Sequence, residues 1–355
     1  MTNLTKEKTI GIIGGGQLGQ MMAISAIYLG HKVITLDPDP NCPASQVAEQ
    51  IVAKYDDTVA IAKLAARSDV LTYEFENVSA DALAPYEDKI PQGLDLLRIS
   101  QNRIFEKEFL TKAGVKVAPY TVINTLEDLN DLDLSKKHVV KTATGGYDGH
   151  GQVVVENVVD WEEARDLADL QPCVSEEFVS FLKEISVIIS GNGTEFSVFP
   201  VCENLHQNNI LDKTIMPARI SKYLAEEARS MALKIAQALK LSGTLCVEMF
   251  VTNHDILVNE IAPRPHNSGH ATIEACDFSQ FDLHIRGILG EPLPKVALLS
   301  PAVMLQVLGQ DLSAAQHFAT ENPSAHLHLY GKIEAKENRK MGHVTVLTDD
   351  CAISL

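Results

Sequence analysis

No run of 18 apolar residues occurs in the 355-residue sequence, so no segment is expected to span a membrane. The first residues, MTNLTKEK, lack the apolar stretch of a secretory signal. Cysteine is sparse and scattered. Cys42, Cys173, Cys202, Cys246, Cys276 and Cys351 contain no C-x-x-C pair, which argues against a zinc site and a disulfide framework. That usage fits a reduced cytosol, so a cytoplasmic location is expected. Positive charge is also short: 30 Lys and Arg face 47 Asp and Glu, for a formal net charge of −17. A chain this acidic is a poor general binder of nucleic acid, and any anionic substrate must be met by cations gathered locally. There is no long internal repeat and no low-complexity segment.

What is present suffices for a large core. Hydrophobic residues make up 45% of the chain, and its length suggests two or three domains. In the first hundred residues, short apolar runs at 9–13, 32–36, 51–53 and 70–72 alternate with helical patterns at 18–29, 58–67 and 80–84. That alternation predicts a doubly wound parallel sheet. The first strand runs into Gly14-Gly15-Gly16-Gln17-Leu18-Gly19, and Asp37 ends the second. Such a turn allows close backbone approach and opens a helix N-terminus, so it predicts an anion site. A phosphorylated substrate, a nicotinamide dinucleotide and a purely structural turn all remain open at this point. Beyond the fourth strand, Glu74 and Glu76 have the spacing that puts both on one face of an extended chain, at the crevice end of the sheet.

Residues 101–113 read as an amphipathic helix with Arg103 near its start and Ile104, Phe105, Phe109 and Leu110 on its inner side. Strands at 138–141 and 153–156 enclose four glycines in seven residues, in Gly145-Gly146-Tyr147-Asp148-Gly149-His150-Gly151-Gln152. This is not a Walker loop, because no G-K-[ST] ending is present and a strand follows it. It predicts a flap whose N–H groups can fold over a triphosphate, with Lys141 at the strand end to neutralise charge. A strand at 173–179 carries Glu176-Glu177-Phe178-Val179. Antiparallel pairs follow around 191–193 and 208–209, then a long helix at 221–241.

A strand pair at 243–251 and 256–261 carries Glu248 and Glu260, with Asn259 beside the latter. Like charges facing each other across strands are normally avoided, and oxygen ligands are what Mg²⁺ takes, so a cation is expected between them. The second strand continues into LVNEIAPRPHNSGH. Pro263 and Pro265 stiffen the backbone, and Arg264, His266, Asn267 and His270 follow in close order. Groups of both signs on a stiff strand end suit a metal and an anion. Lys332, Lys336, Arg339 and Lys340 form the densest basic cluster, just before a last strand at 344–347.

The segments GIIGGGQLGQM, LDPDPNCPASQVA, TYEFENV, KTATGGYDGHGQ, NEIAPRPHNSGH and YGKIEAKENRKMGHVT run from Gly11 to Thr345. Together they resemble the ATP-grasp superfamily and, within it, the family of 5-(carboxyamino)imidazole ribonucleotide synthases. The resemblance implies an N-terminal preATP-grasp domain over residues 1–100, a flap subdomain over 101–172, a large ATP-grasp subdomain over 173–295 and an antiparallel C-terminal region over 296–355. It implies an α/β and α+β architecture and a cytoplasmic homodimer. The reaction it implies takes ATP, bicarbonate and 5-aminoimidazole ribonucleotide to the carbamate, ADP and phosphate, through carboxyphosphate.

By the same resemblance, Arg103, Lys141 and the flap from Gly146 through Tyr147, Asp148, Gly149, His150 and Gly151 to Gln152 meet the ATP phosphates. Glu176, Glu177, Phe178 and Val179 hold adenine, Glu184 the ribose, and His206 borders the nucleotide. Glu248 and Glu260 hold Mg²⁺ or Mn²⁺, with Asn259 adjacent. Gln17, Leu18, Glu76, Tyr147, Asp148, Lys332 and Arg339 meet the ribonucleotide. Arg264, His266 and Asn267 position bicarbonate, and Asp148 accepts the amine proton. Three positions depart from the family pattern: His150 and Gln20 stand where Arg or Lys, and Arg, are usual, and the chain stops at Leu355 where relatives commonly continue. A nicotinamide-dependent oxidoreductase built on the first glycine turn, or another ATP-grasp ligase with a different acceptor, is the alternative. The first leaves the flap and the Glu248/Glu260 pair unexplained.

Overall fold

The first strand, β1 (Thr9–Ile13), is almost wholly buried, and so is β2 (Lys32–Asp37) beyond its first residue. Continuous burial along a strand requires cover on both faces, which parallel βαβ crossovers supply. With β3 (Glu49–Val52) and β4 (Val70–Tyr73) they form a parallel sheet in the order β3-β2-β1-β4. The structure, a computed structural model, describes residues 6–133, 135–146 and 150–355, and of Val158 the backbone alone. Tyr147, Asp148 and Gly149, three of the expected flap residues, lie outside the described residues.

The helix expected over 101–113 begins later, as Arg103–Lys112, behind a separate helix, Leu94–Gln101. The break falls at Asn102, whose side chain accepts the backbone N–H groups of Ile104 and Phe105. The expected inner face is only partly right. Leu110 is buried and Ile104 and Phe109 half-buried, but Phe105 is exposed, and Glu106 and Lys107 are buried in its place. Both charged groups have partners inside, described below, and those partners outweigh the apolar preference.

A second sheet is antiparallel: β5 (Tyr120–Ile123), β6 (His138–Thr142), β7 (Gln152–Val155) and β8 (Cys173–Glu177), in the order β5-β8-β6-β7. The glycine flap joins β6 to β7. Its base is closed by the Lys141–Gln152 pairing and by Thr142 N–H donating to Gly151 O at 2.8 Å.

The third sheet has nine strands among the described residues: β9 (Lys183–Asn192), β10 (Phe196–Val198), β11 (Cys202–Gln207), β12 (Ile210–Met216), β13 (Ser242–Val251), β14 (Ile256–Ala262), β15 (Ala302–Leu308), β16 (His326–Leu329) and β17 (Lys340–Val346). Their order is β14-β13-β9-β11-β12-β15-β17-β16, with β10 on β9. The turn between β11 and β12 uses Asn208 and Asn209, both at positive φ, which asparagine tolerates. The long helix Lys222–Leu239 is capped by Ser221 and packs Ala228, Met231 and Ile235 onto this sheet. The C-terminal strands therefore extend the same sheet that carries Glu248 and Glu260.

Candidate active site

The three sheets converge on one cleft of about 780 Å³. It is bordered by Gln17 and Leu18 from the first glycine turn, Gly146 and Gln152 from the flap, and Glu176 to Val179 from the end of β8. Glu184, His206, Glu248, Asn259, Glu260, Arg264, His266 and Asn267 complete it from the large sheet.

At its centre Glu176 is buried between two ammonium groups, Lys107 at 3.1 Å and Lys141 at 2.9 Å. Lys107 also donates to the Asn259 carbonyl at 2.9 Å. Burial would raise the Glu176 carboxyl, but the two lysines override it and hold it below the ordinary range. Burial lowers Lys141, and the nearby Lys107 and Arg103 charges add to that against the pull of Glu176. Two ammonium groups on one carboxylate leave a local excess of positive charge at this point of the cleft, which is what a polyphosphate requires. Lys107 was not expected here, because its position in the amphipathic helix carries no sign of a buried charge.

Glu248 and Glu260 are direct partners across β13 and β14, so their side chains share a face. Arg103 lies 3.1 Å from Glu260, and His266 Nε2 lies 2.9 Å from Glu248. Burial would raise Glu248, but the His266 ring and the His206 and Arg264 charges hold it below the ordinary carboxylate range. The Asn259 Oδ1 is buried without a hydrogen-bond partner. Two hard carboxylate oxygens and an unsatisfied amide oxygen fit a divalent cation such as Mg²⁺. Cys246, Glu248 and His266 also bring ligand-type atoms within 4.8 Å of one another, but burial pushes the Cys246 thiol far above its ordinary value. Behind this pair Glu106 accepts the Ile261 N–H at 2.7 Å, and burial with the Glu260 charge pushes it up to about 8.

Glu184 and His206 form an ion pair at one rim. Burial lowers the imidazole, yet the carboxylate beside it prevails and holds it above its ordinary value. Phe181 stacks on Phe250 at 4.6 Å, giving an apolar wall next to Glu176, Glu177, Phe178 and Val179.

Several expectations are corrected. Glu74 and Glu76 do not share a face in use. Glu74 turns back and accepts the Gly16 and Gly19 N–H groups, both at 2.6 Å, while Glu76 pairs with Arg264 at 2.7 Å. Asp37 takes the Gly15 N–H and the Tyr55 hydroxyl, each at 2.8 Å. The Gly15, Gly16 and Gly19 N–H groups of the glycine turn are thus taken by the chain's own carboxylates, which leaves the nicotinamide alternative without them. His270 is wholly buried and faces away, stacked on His343 at 4.4 Å. Lys332 and Arg339 are not among the residues bordering the cleft, whereas Lys340 is. Lys332 is folded back onto the Lys340 carbonyl at 2.7 Å, and Arg339 onto the Glu334 carbonyl at 3.0 Å. Gln20, the departure from the family pattern, ties its helix to the Pro43 carbonyl at 3.0 Å.

A buried lysine pair under a glycine flap, between two antiparallel sheets and beside paired carboxylates, defines an ATP-grasp ligase. Family models agree: the ATP-grasp domain matches residues 108–281, the ribonucleotide synthetase preATP-grasp domain 7–93, and the phosphoribosylaminoimidazole carboxylase C-terminal domain 302–353. An N5-carboxyaminoimidazole ribonucleotide synthase from Staphylococcus saprophyticus is 48% identical, over 98% of this chain and 96% of its own. The crystal structure of the Staphylococcus aureus synthetase complexed with ADP superposes with a TM-score of 0.91 at 48% identity, covering 97% of this chain and 94% of that one. The Aspergillus clavatus synthase, in complex with ADP and 5-aminoimidazole ribonucleotide, gives 0.89 at 33% identity, covering 96% and 94%. The chain belongs to the N5-carboxyaminoimidazole ribonucleotide synthase family. It is a ligase of purine biosynthesis that uses ATP to carboxylate 5-aminoimidazole ribonucleotide.

Proposed function

We propose that this cleft carries out the carboxylation with bicarbonate as the carbon source and carboxyphosphate as the intermediate. The observation that carries the reading is the convergence on one cleft of the Lys107–Glu176–Lys141 centre, of Glu260 and Glu248, and of His266, Asn267 and Arg264. Adenine lies against Glu176 to Val179 and the Phe181–Phe250 wall, with its ribose at Glu184 and His206. Arg103, Lys141 and the flap from Gly146 to Gln152 hold the phosphates. Glu248 and Glu260 with Asn259 would hold Mg²⁺ or Mn²⁺, which would supply charge neutralisation to the phosphates.

Bicarbonate sits at Arg264, His266 and Asn267. One of its oxygens attacks the γ-phosphorus, the bond to the ADP oxygen breaks, and Arg264 offsets the crowding of anions during in-line transfer. The exocyclic amine of the ribonucleotide then attacks the carboxyl carbon, phosphate leaves, and Asp148 accepts the amine proton. Tyr147 and Glu76 serve the acceptor. The Gln17 and Leu18 N–H groups, first-turn donors without intrahelical partners, face its phosphate, and Lys332 and Arg339 join them on leaving the Lys340 and Glu334 carbonyls. Closure of the flap protects carboxyphosphate from water. The four-part division at residues 100, 172 and 295, a homodimer and a cytoplasmic location complete the reading. No helix among the described residues is long and apolar enough to cross a membrane.

The test is ADP release by the purified protein with Mg-ATP, with bicarbonate added or removed, and with or without 5-aminoimidazole ribonucleotide. Strong stimulation by the nucleotide that depends on bicarbonate is expected. Release indifferent to bicarbonate would sink the carboxyphosphate route.

A further inference from the structure

Three polar side chains of the large sheet and one of the turn after β14 lie beside the apolar cluster of Ile188, Phe199, Met216 and Met304. Thr214, Ser186 and Ser268 are wholly buried, and Asn204 nearly so. Apolar residues of the same shape would cost nothing there, so the polar groups call for a reason. They form one chain. Thr214 Oγ1 donates to Asn204 Oδ1 at 3.1 Å, and Asn204 Nδ2 donates to Ser186 Oγ at 2.9 Å. Ser186 Oγ lies 2.8 Å from Ser268 Oγ, which lies 2.9 Å from His266 Nδ1. The far side of the same ring, Nε2, is 2.9 Å from Glu248 Oε1.

The direction of this chain is set at its cleft end. His266 caps the short helical turn Asn267–Gly269, and its Nδ1 accepts the Ser268 backbone N–H at 3.3 Å. A backbone N–H cannot reverse, so Nδ1 keeps its lone pair. Ser268 Oγ–H then also points at Nδ1, Ser186 Oγ–H at Ser268, and the Asn204 amide and Thr214 hydroxyl follow in the same sense. The opposite sense would set an Nδ1–H against the Ser268 N–H.

We propose that Ser268, Ser186, Asn204 and Thr214 are positioning residues that hold His266 as the tautomer with a bare Nδ1 and an Nε2–H facing Glu248. His266 then acts as a fixed hydrogen-bond donor beside the carboxylate pair. It is not a metal ligand, although it lies within 4.8 Å of Cys246 and Glu248. The kinetic consequence rests on the proposed place of His266 beside bicarbonate; the tautomer itself does not.

The test uses the full-length protein labelled with ¹⁵N-histidine, with His266→Gln supplying the assignment. The wild-type ring is expected to show an unprotonated Nδ1 and a protonated Nε2 at neutral pH. A proton on Nδ1 overturns the proposal, whatever the variants do. Ser268→Ala keeps the backbone N–H on Nδ1 and loses the hydroxyl, so the two nitrogens are expected to move part of the way toward averaged shifts, with kcat/KM for bicarbonate falling about tenfold and KM for ATP within twofold of wild type. Ser186→Ala is expected to shift the same signals less. A spectrum unmoved in folded Ser268→Ala overturns the positioning role. A moved spectrum with unchanged bicarbonate kinetics upholds the tautomer and removes His266 from the bicarbonate site.

Discussion

Gly16 and Gly19 each give an N–H to Glu74, and a carboxylate can accept both because both its oxygens carry lone pairs. Burial pushes this carboxyl up to about 7 in spite of the two bonds, with Asp37 adding and Arg264 opposing. Glu74→Gln would turn an amide N–H against one of the two backbone donors. At pH 8 it is expected to cost about 1–3 kcal/mol, read from the urea midpoint at unchanged slope. Glu203 shows the opposite shift. Burial raises it, but Arg219 and Lys183, at 2.5 and 2.7 Å, hold it down at about 2. Its folded pKa is depressed, so its stabilisation is complete above the unfolded value near 4.3 and is lost as pH falls toward 2. Glu203→Gln is expected to flatten the acid limb of the stability curve between pH 4.5 and 2, removing roughly 2–3 kcal/mol of pH dependence. Thermal melts of both proteins across that range check it, and parallel limbs would contradict it.

Among the elements, the flap hairpin depends most on its glycines. Gly145 and Gly151 both adopt positive φ, and a Cβ on Gly151 would lie 2.7 Å from Thr142 Oγ1 at the hairpin base. Gly151→Ala is therefore strained in both conformation and space. Because the strain falls on a surface hairpin, it is expected to leave the melting temperature within a few degrees. The kcat/KM for ATP is expected to fall about tenfold or more, through slower or incomplete closure. Steady-state kinetics beside a melting curve separates the two effects; unchanged kinetics would place closure elsewhere. The β13–β14 hairpin is the more rigid element. It sits at the edge of the large sheet, against β9 on its inner side, and keeps Glu248 opposite Glu260 in register.

At the scale of the whole molecule, the large sheet is continuous from β14 to β16, so the C-terminal strands and the ATP-grasp strands share one hydrogen-bonded layer. The buried side chains of Ile215, Val303, Leu305, Val307 and Val344 form a core that bridges β12, β15 and β17. Removing residues 302–355 would bare β12 as an apolar edge and strip this core. The truncated chain is expected to be insoluble or to lose its cooperative melt. A soluble fragment with a sharp transition and ATP binding would show that the last strands are dispensable.

Periodicity and turn chemistry were enough for most of the strands, for the parallel character of the first sheet and for the flap between two strands, because these rest on local patterns of burial and backbone freedom, but they passed over the helices Leu94–Gln101 and Leu312–Glu321. The residues of the cleft were readable where motifs carry them: Lys141, Glu248, Glu260, Arg264, His266 and Asn267 all border it or face into it. The pairings were not readable. That Glu74 fills the glycine turn, that Glu76 takes Arg264, that Lys107 joins Lys141 on Glu176, and that Ser186 and Asn204 stand behind His266 are contacts between residues tens to more than a hundred positions apart. Likewise Lys332 and Arg339 stood out as cations, and only packing turned them back onto backbone carbonyls. Local sequence determined the elements and the chemical types brought to the cleft. Tertiary structure alone decided which charge meets which, because a buried group's partner is chosen by long-range geometry and desolvation.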